Sequence, residues 1–239
     1  DALLAQQLAD ELTVHMIAHR EDFVGEYIDE REAVELAVAA AGPMCLLDMG
    51  DNVGGGSAAD GTLIAHEIHR RADTTGFVCL FDKESQELAR AAGQGARVTL
   101  SMGGKTDDRH GTPLKVEVTV KSVHDGTFEE SEIRHGGYTH FEMGPTAVVV
   151  TDTGLAVSLT SQRIVPVSLG VVTSIGLDPA DFQILVAKGV HAPVAAFEPV
   201  CTEMIRVNTS GATAADMRTF DYRYRRRPMF PFEEVDGQV

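Results

Sequence analysis

The chain has 239 residues, 44% of them apolar, enough to bury roughly 70% of its unfolded surface and to hold a core without staples. Against 20 basic side chains stand 36 acidic ones, and the net charge of −16 opposes association with nucleic acid or anionic lipid while suiting cationic ligands or plain solubility. Cys45, Cys79 and Cys201 sit singly in apolar stretches without CxxC spacing, which argues against a disulfide framework or thiolate metal site and fits a reducing, cytoplasmic setting.

Residues 1 to 40 are helical by period, with Leu4, Leu8, Leu12 and then Val34, Ala37, Val38 on repeating faces. No N-cap is expected before Leu3, so the opening helix reads as the continuation of an upstream segment. Pro43 to Asp48 reads as a short, fully buried strand. It runs into DMGDNVGGGSAADGT, residues 48 to 62, where Asp48, Asp51 and Asp60 surround a glycine-rich turn, and a helix is expected from Gly61 to Ala72. Gly76 to Phe81 is a second buried strand. Asp82 then caps a helix that ends near Ala92, before Gly93 and Gly95, and Arg97 to Ser101 is a third strand. Strand, helix, strand, helix, strand is the pattern of a parallel sheet with crossover helices, which places the glycine loop at the carboxyl end of a strand, where open α/β sheets bind ligands.

From Pro113 the period changes to two. Leu114, Val116, Val118 and Val120 alternate with polar residues, His124-Asp125-Gly126 supplies a turn, and Asp152-Thr153-Gly154 divides two further apolar runs as a second hairpin. The apolar run from Phe182 to Ala187 and a strand from Val200 to Val207 return to the α/β style. The expected class is therefore α/β, a mixed sheet with crossover helices in the first half and antiparallel hairpins in the middle, the middle extending one domain. Nothing in the chain approaches 18 consecutive apolar residues, and no charged and apolar leader opens it, so neither a membrane span nor a secretion signal is expected. The basic run from Tyr222 to Arg227 interleaves aromatics with arginines, yet in so acidic a chain it reads as a solvated face or a partner-domain patch rather than an RNA site.

The order of the segments LLDMGDNVGGGSAADGT, FDKESQELARAAGQGARVTLSMGGK, LDPADFQILVAKGVH and RRRPMFPFEE resembles the C-terminal domain of the microcystinase C (MlrC) family of metallopeptidase-like hydrolases, from about Leu8 to Phe232. The resemblance implies that complete family members carry an N-terminal domain holding a catalytic zinc through Asp, Glu and His ligands. It further implies that residues 1–41 are the helical tail of that domain and residues 42–239 the C-terminal α/β domain. No zinc is expected on this chain itself. His66 and His69 lie i and i+3 on a helix and His15 and His19 i and i+4, but neither pair has an identified third ligand, so surface or interface histidines are the expectation.

The candidate substrate-binding residues fall in four places. In the glycine loop they are Asp48, Asp51, Asn52, Gly54, Gly55, Gly56, Ser57, Asp60 and Thr62, which would face the cleft where the N-terminal domain docks; the competing reading is a tight connection in which Asp60 is the N-cap and Asp51 bonds its own loop. Lys105 follows Gly103-Gly104 and either neutralises an anion or is simply solvated. Arg163 ends a hairpin strand and either forks onto a substrate carboxylate or marks an exposed end. Lys188 and His191 follow a buried strand, although Ala192-Pro193 stands where the family commonly has an aromatic and an arginine.

These residues support a C-terminal, substrate-orienting domain of an MlrC-like zinc hydrolase acting on amide or peptide-like bonds, with the metal supplied by the N-terminal domain. A free-standing, non-catalytic module that binds a small ligand in the same cleft is the alternative, and an interaction domain the third. The face an N-terminal domain would cover is apolar, so a homo-oligomer is also among the expectations.

Overall fold

The computed structural model describes residues 1–132 and 134–235. It divides into two compact units, Asp1–Tyr27 with the chain from Asp216 on, and Ile28–Ala215. The divisions fall after Tyr27 and after Ala215.

In the first unit, α1 (Ala2–Ala18) buries none of its residues, so Leu4, Leu8 and Leu12 form an exposed apolar row. Contrary to expectation the helix is capped: the Asp1 side chain accepts from the Leu3 amide at 3.0 Å. In the basic run, the Arg225 guanidinium grips both Glu233 oxygens at 2.5 and 2.6 Å and lies over the Phe232 ring, while Tyr224 is fully open to solvent.

The second unit is a three-layer sandwich. It begins with α2 (Glu30–Ala39), whose Asp29 cap accepts from the Glu32 amide. The elements after it are β1 (Met44–Asp48), α3 (Leu63–His69), β2 (Gly76–Phe81), α4 (Lys83–Ala92), β3 (Arg97–Met102), β4 (Leu114–His124), β5 (Thr127–Glu129) and β6 (His140–Glu142). Then come β7 (Thr146–Thr151), β8 (Leu155–Thr160), α5 (Gly170–Thr173), β9 (Ile184–Ala187), α6 (Val194–Phe197) and β10 (Glu203–Val207). Among the described residues the main sheet has eight strands in the order β10-β1-β9-β2-β8-β7-β4-β3, and β5 and β6 form a separate two-stranded arm.

Every residue of β1 is buried, and its side chains alternate between the two faces. Met44 and Leu46 join one core with α2, α3 and α4, whereas Cys45 and Leu47 join the other with α5, α6 and Phe182. Cover on both faces accounts for the continuous apolar runs read as strands.

Direction is where the sequence misleads. The strands β10, β1, β9, β2 and β8 are parallel, but Arg97 to Met102 is no third parallel strand: β3 pairs antiparallel with β4 at the far edge. The turn at His124-Asp125-Gly126 exists, yet β4 forms no hairpin with β5; it pairs with β3 and β7, while β5 leaves to pair with β6. The hairpin at Asp152-Thr153-Gly154 joins β7 to β8 as expected, with Gly154 at φ +90. No helix among the described residues is long and apolar enough to cross a membrane.

Candidate active-site cleft and the glycine loop

The glycine loop leaves the carboxyl end of β1, the strand between β9 and β10, and the side chains that hold it come from the far end of the chain. Asp48 Oδ2 accepts from Lys188 Nζ at 3.1 Å, and Asp48 Oδ1 accepts from the Asp51 amide and the Thr209 hydroxyl. Asp51 Oδ2 lies 2.8 Å from Lys188 Nζ and accepts from the Gly61 amide, while Oδ1 accepts from the Ala59 amide, both at 2.7 Å. Lys188 gives a further hydrogen bond to Gly61 O at 2.8 Å, so one buried ammonium serves two carboxylates and a carbonyl.

Burial alone would push the Asp51 carboxyl up, but the Lys188 charge and the donors around it hold it below its ordinary value. Burial would likewise favour neutral Lys188, and the charges of Asp51 and Asp48 reverse that, raising its pKa and keeping it a cation. An ammonium held this firmly is no nucleophile. The cavity beside it, lined by Cys79, Phe81, Thr160 and Ile164, is about 10 Å³, room for no more than one water.

Glycine is required here by close approach. A Cβ on Gly50 would meet Thr209 O at 2.4 Å and Ser210 O at 2.5 Å, and one on Gly61 would meet the Asp51 carboxylate at 2.9 Å. Gly56, by contrast, turns through φ +93 with open space beside it. The loop's exposed residues are Gly54, Gly55 and Gly56, with Asn52 half-buried.

Asp60 is not the cap of the next helix. Its Oδ2 accepts from the Lys105 and Thr106 amides, both at 2.9 Å, and α3 begins after Thr62, whose hydroxyl donates to Thr112 O at 2.7 Å. Lys105 turns its ammonium to Asp82, Glu84 and Ser85 at the start of α4. His191 is exposed and lies 3.4 Å from an Arg206 guanidinium nitrogen, apart from the cluster around Lys188.

A second row escaped sequence reading. Ser57 Oγ lies 2.7 Å from His110 Nε2, and His110 Nδ1 lies 2.8 Å from Asp107 Oδ1. The order of groups is that of a nucleophile, a base and an orienting acid. The Ala212 amide, however, donates to Nε2 at 3.0 Å, and His110 and Ser57 are 1% and 4% exposed. With that nitrogen occupied and the hydroxyl enclosed, the row is a lock joining three loops. The i, i+3 spacing of Asp107 and His110 was its one local signal.

The open concavity lies beside the loop. A cleft of about 460 Å³ is bounded by Gly54, by Arg163, Ile164, Val165 and Val167 beyond β8, and by the β5–β6 arm with Tyr138 and Phe141. Within the arm Phe128 stacks on Phe141 at 4.9 Å, and the Ser168 hydroxyl ties the arm to the chain beyond β8 by donating to Glu130 at 2.6 Å. Of the expected residues, the cleft therefore collects Gly54 and Arg163, with Gly55, Gly56 and Asn52 adjacent in the loop, while Asp48, Asp51, Ser57, Asp60, Thr62 and Lys188 form the frame beneath.

Among the described residues no group of three or more His, Cys, Asp or Glu side chains is placed to hold a metal ion. His66 turns to Thr112 O at 2.9 Å and His69 to the Thr153 hydroxyl at 2.8 Å, so the two imidazoles of the third helix have different partners.

Residues 46–224 match the protein-family model described as MlrC C-terminus. The chain belongs to that family. It is 26% identical over 204 residues to Microcystinase C of Sphingomonas sp, an alignment covering 84% of this chain and 38% of that protein. Its fold is similar to a crystal structure from Mesorhizobium sp. BNC1 described as a candidate metallopeptidase, with a TM-score of 0.82, 24% identity, and coverage of 95% of this chain and 45% of the other. This MlrC C-terminus chain thus spans less than half the length of either relative.

Proposed function

We propose that the chain is the C-terminal half of an MlrC-like, zinc-dependent hydrolase acting on amide or peptide-like bonds, and that the cleft at Gly54 and Arg163 orients the substrate. The observation that carries this reading is a cleft of ligand size at the carboxyl ends of the parallel strands of a family member, beside a loop whose backbone is held rigid from below. In this reading the zinc and the residues that hold it belong to the N-terminal half, and the described residues contribute binding and orientation: Arg163 and Gly54 border the substrate, and the frame beneath fixes the loop in place.

The test is to assay amide hydrolysis on a peptide library with the chain alone and with the longer protein that includes an N-terminal half. Turnover is expected only from the longer form, with stoichiometric zinc after dialysis only there. Stoichiometric zinc or turnover with the chain alone overturns the reading. Saturable ligand binding without turnover in either form supports the free-standing binding module instead.

A further inference from the structure

We infer that Arg163 anchors a single carboxylate in this cleft, and that the ligand carries it on an aromatic or aliphatic group, as a peptide C-terminus does. The inference rests on the cleft being the ligand site and adds the class of group recognised there.

The side chain is already fixed in place. Its Nε donates to Ala58 O at 2.9 Å, and its guanidinium lies 4.6 Å above the centre of the Phe81 ring. One edge of the fork is thus tied to the glycine loop and one face to the end of β2, so little freedom remains to be lost when a partner arrives. The terminal nitrogens are unspent: among the described residues no carboxylate approaches within 4.0 Å and no hydrogen bond is made by either. Arg31, Arg70, Arg71, Arg97 and Arg134 of the same unit each pair with a carboxylate, while Arg90 and Arg206 pair with none among the described residues; what sets exposed Arg163 apart is that it is tied down by Ala58 and Phe81 at the edge of the cleft. A guanidinium held rigid, left uncompensated and set at the edge of a cleft matches the planar, bidentate geometry of a carboxylate.

The rest of the cleft selects what the carboxylate is attached to. Tyr138 is 65% exposed and meets Phe141 edge to face at 6.5 Å, and Ile164 and Val165 line the opposite side. Such a surface takes an apolar body. Glu142, His135 and His140 also line the cleft, and the Glu142 charge opposes a doubly charged phosphate more than a singly charged carboxylate.

The test titrates the 239-residue chain with N-acetylphenylalanine, its amide and phenyl phosphate, read by calorimetry and amide chemical shifts. The acid is expected to bind about tenfold more tightly than the amide, as a charge-assisted pair requires, and more tightly than phenyl phosphate. Arg163→Gln should abolish the acid's advantage, Arg163→Lys should retain part of it, and Tyr138→Ala should weaken acid and amide alike. Equal binding of acid and amide that still responds to Tyr138→Ala overturns the role of Arg163 and leaves the cleft standing. Phenyl phosphate binding more tightly than the acid overturns the choice of a carboxylate. Absence of binding by every probe overturns the cleft reading and this inference together. Should Arg163→Gln lower the thermal midpoint, the acid-to-amide ratio of the unaltered chain at rising salt decides, since only an ion pair is screened.

Discussion

Lys188 shows how much of the loop's rigidity hangs on one side chain. Removing it leaves Asp48 and Asp51 facing one another without a cation, so Lys188→Met is expected to cost about 3–5 kcal/mol by urea unfolding. A loss below about 1 kcal/mol would mean that water reaches the pair. The pH dependence comes from the direction of each shift. The Asp51 carboxyl is depressed, so its contribution is complete above the ordinary carboxylate range of about 4 and disappears as pH falls through the lowered value. The Lys188 ammonium is raised, so its contribution is complete below about 10.4 and disappears as pH rises through the elevated value. The urea midpoint should therefore be flat between those limits as far as these groups are concerned, and Asp51→Asn should flatten the acid side and, by removing one of the two charges that raise Lys188, shrink the alkaline side as well. None of this pairing was legible in the sequence. The sequence offered Asp51 bonding its own loop as the competing reading, and its bonds to the Ala59 and Gly61 amides bear that out, but the cation was hidden because Lys188 and Thr209 stand 140 and 161 positions from Asp48. Arg163 was legible as a strand end, and only the fold reveals that its charge has no carboxylate beside it among the described residues.

At the scale of elements, local chemistry was read well and direction was not. The strand at Met44–Asp48, the Asp82 cap and the hairpin at Gly154 are set by apolar runs, a side chain three residues from its amide, and a turn glycine, all visible within a short window. The orientation of β3 depends on its pairing with β4, and a two-residue period reads the same in either direction. The loop offers a test of which glycines are held by contact. Gly50→Ala drives a Cβ into the backbone of Thr209 and Ser210 and should cost about 1–3 kcal/mol by overpacking, with the neighbouring threonine bonds disturbed. Gly56→Ala meets open space and should cost only the left-handed strain, about 1–2 kcal/mol. Comparing thermal and ligand-binding curves of the two separates them: Gly50→Ala should alter the cleft and Gly56→Ala should not. The reverse order would show that the loop is fixed by its turn and not by the strand beneath.

At the scale of the molecule, the parallel half of the sheet interleaves early and late sequence. The strand that opens the unit, β1, lies between β9 and β10, which close it, and the loop it feeds is fastened by Lys188, Thr209 and Thr213. Chains shortened to end at Gly189 should keep the β7–β8 hairpin but lose the cooperative unfolding transition, a loss measurable by circular dichroism on melting; a sharp two-state melt from such a chain would contradict the arrangement. For a ribosome making this protein, the consequence is a long wait. Nearly the whole unit must emerge before the first strand finds its neighbours, so the nascent chain carries an unpartnered, strongly apolar strand through most of its synthesis and is exposed to chaperones or to aggregation until the last stretch is released.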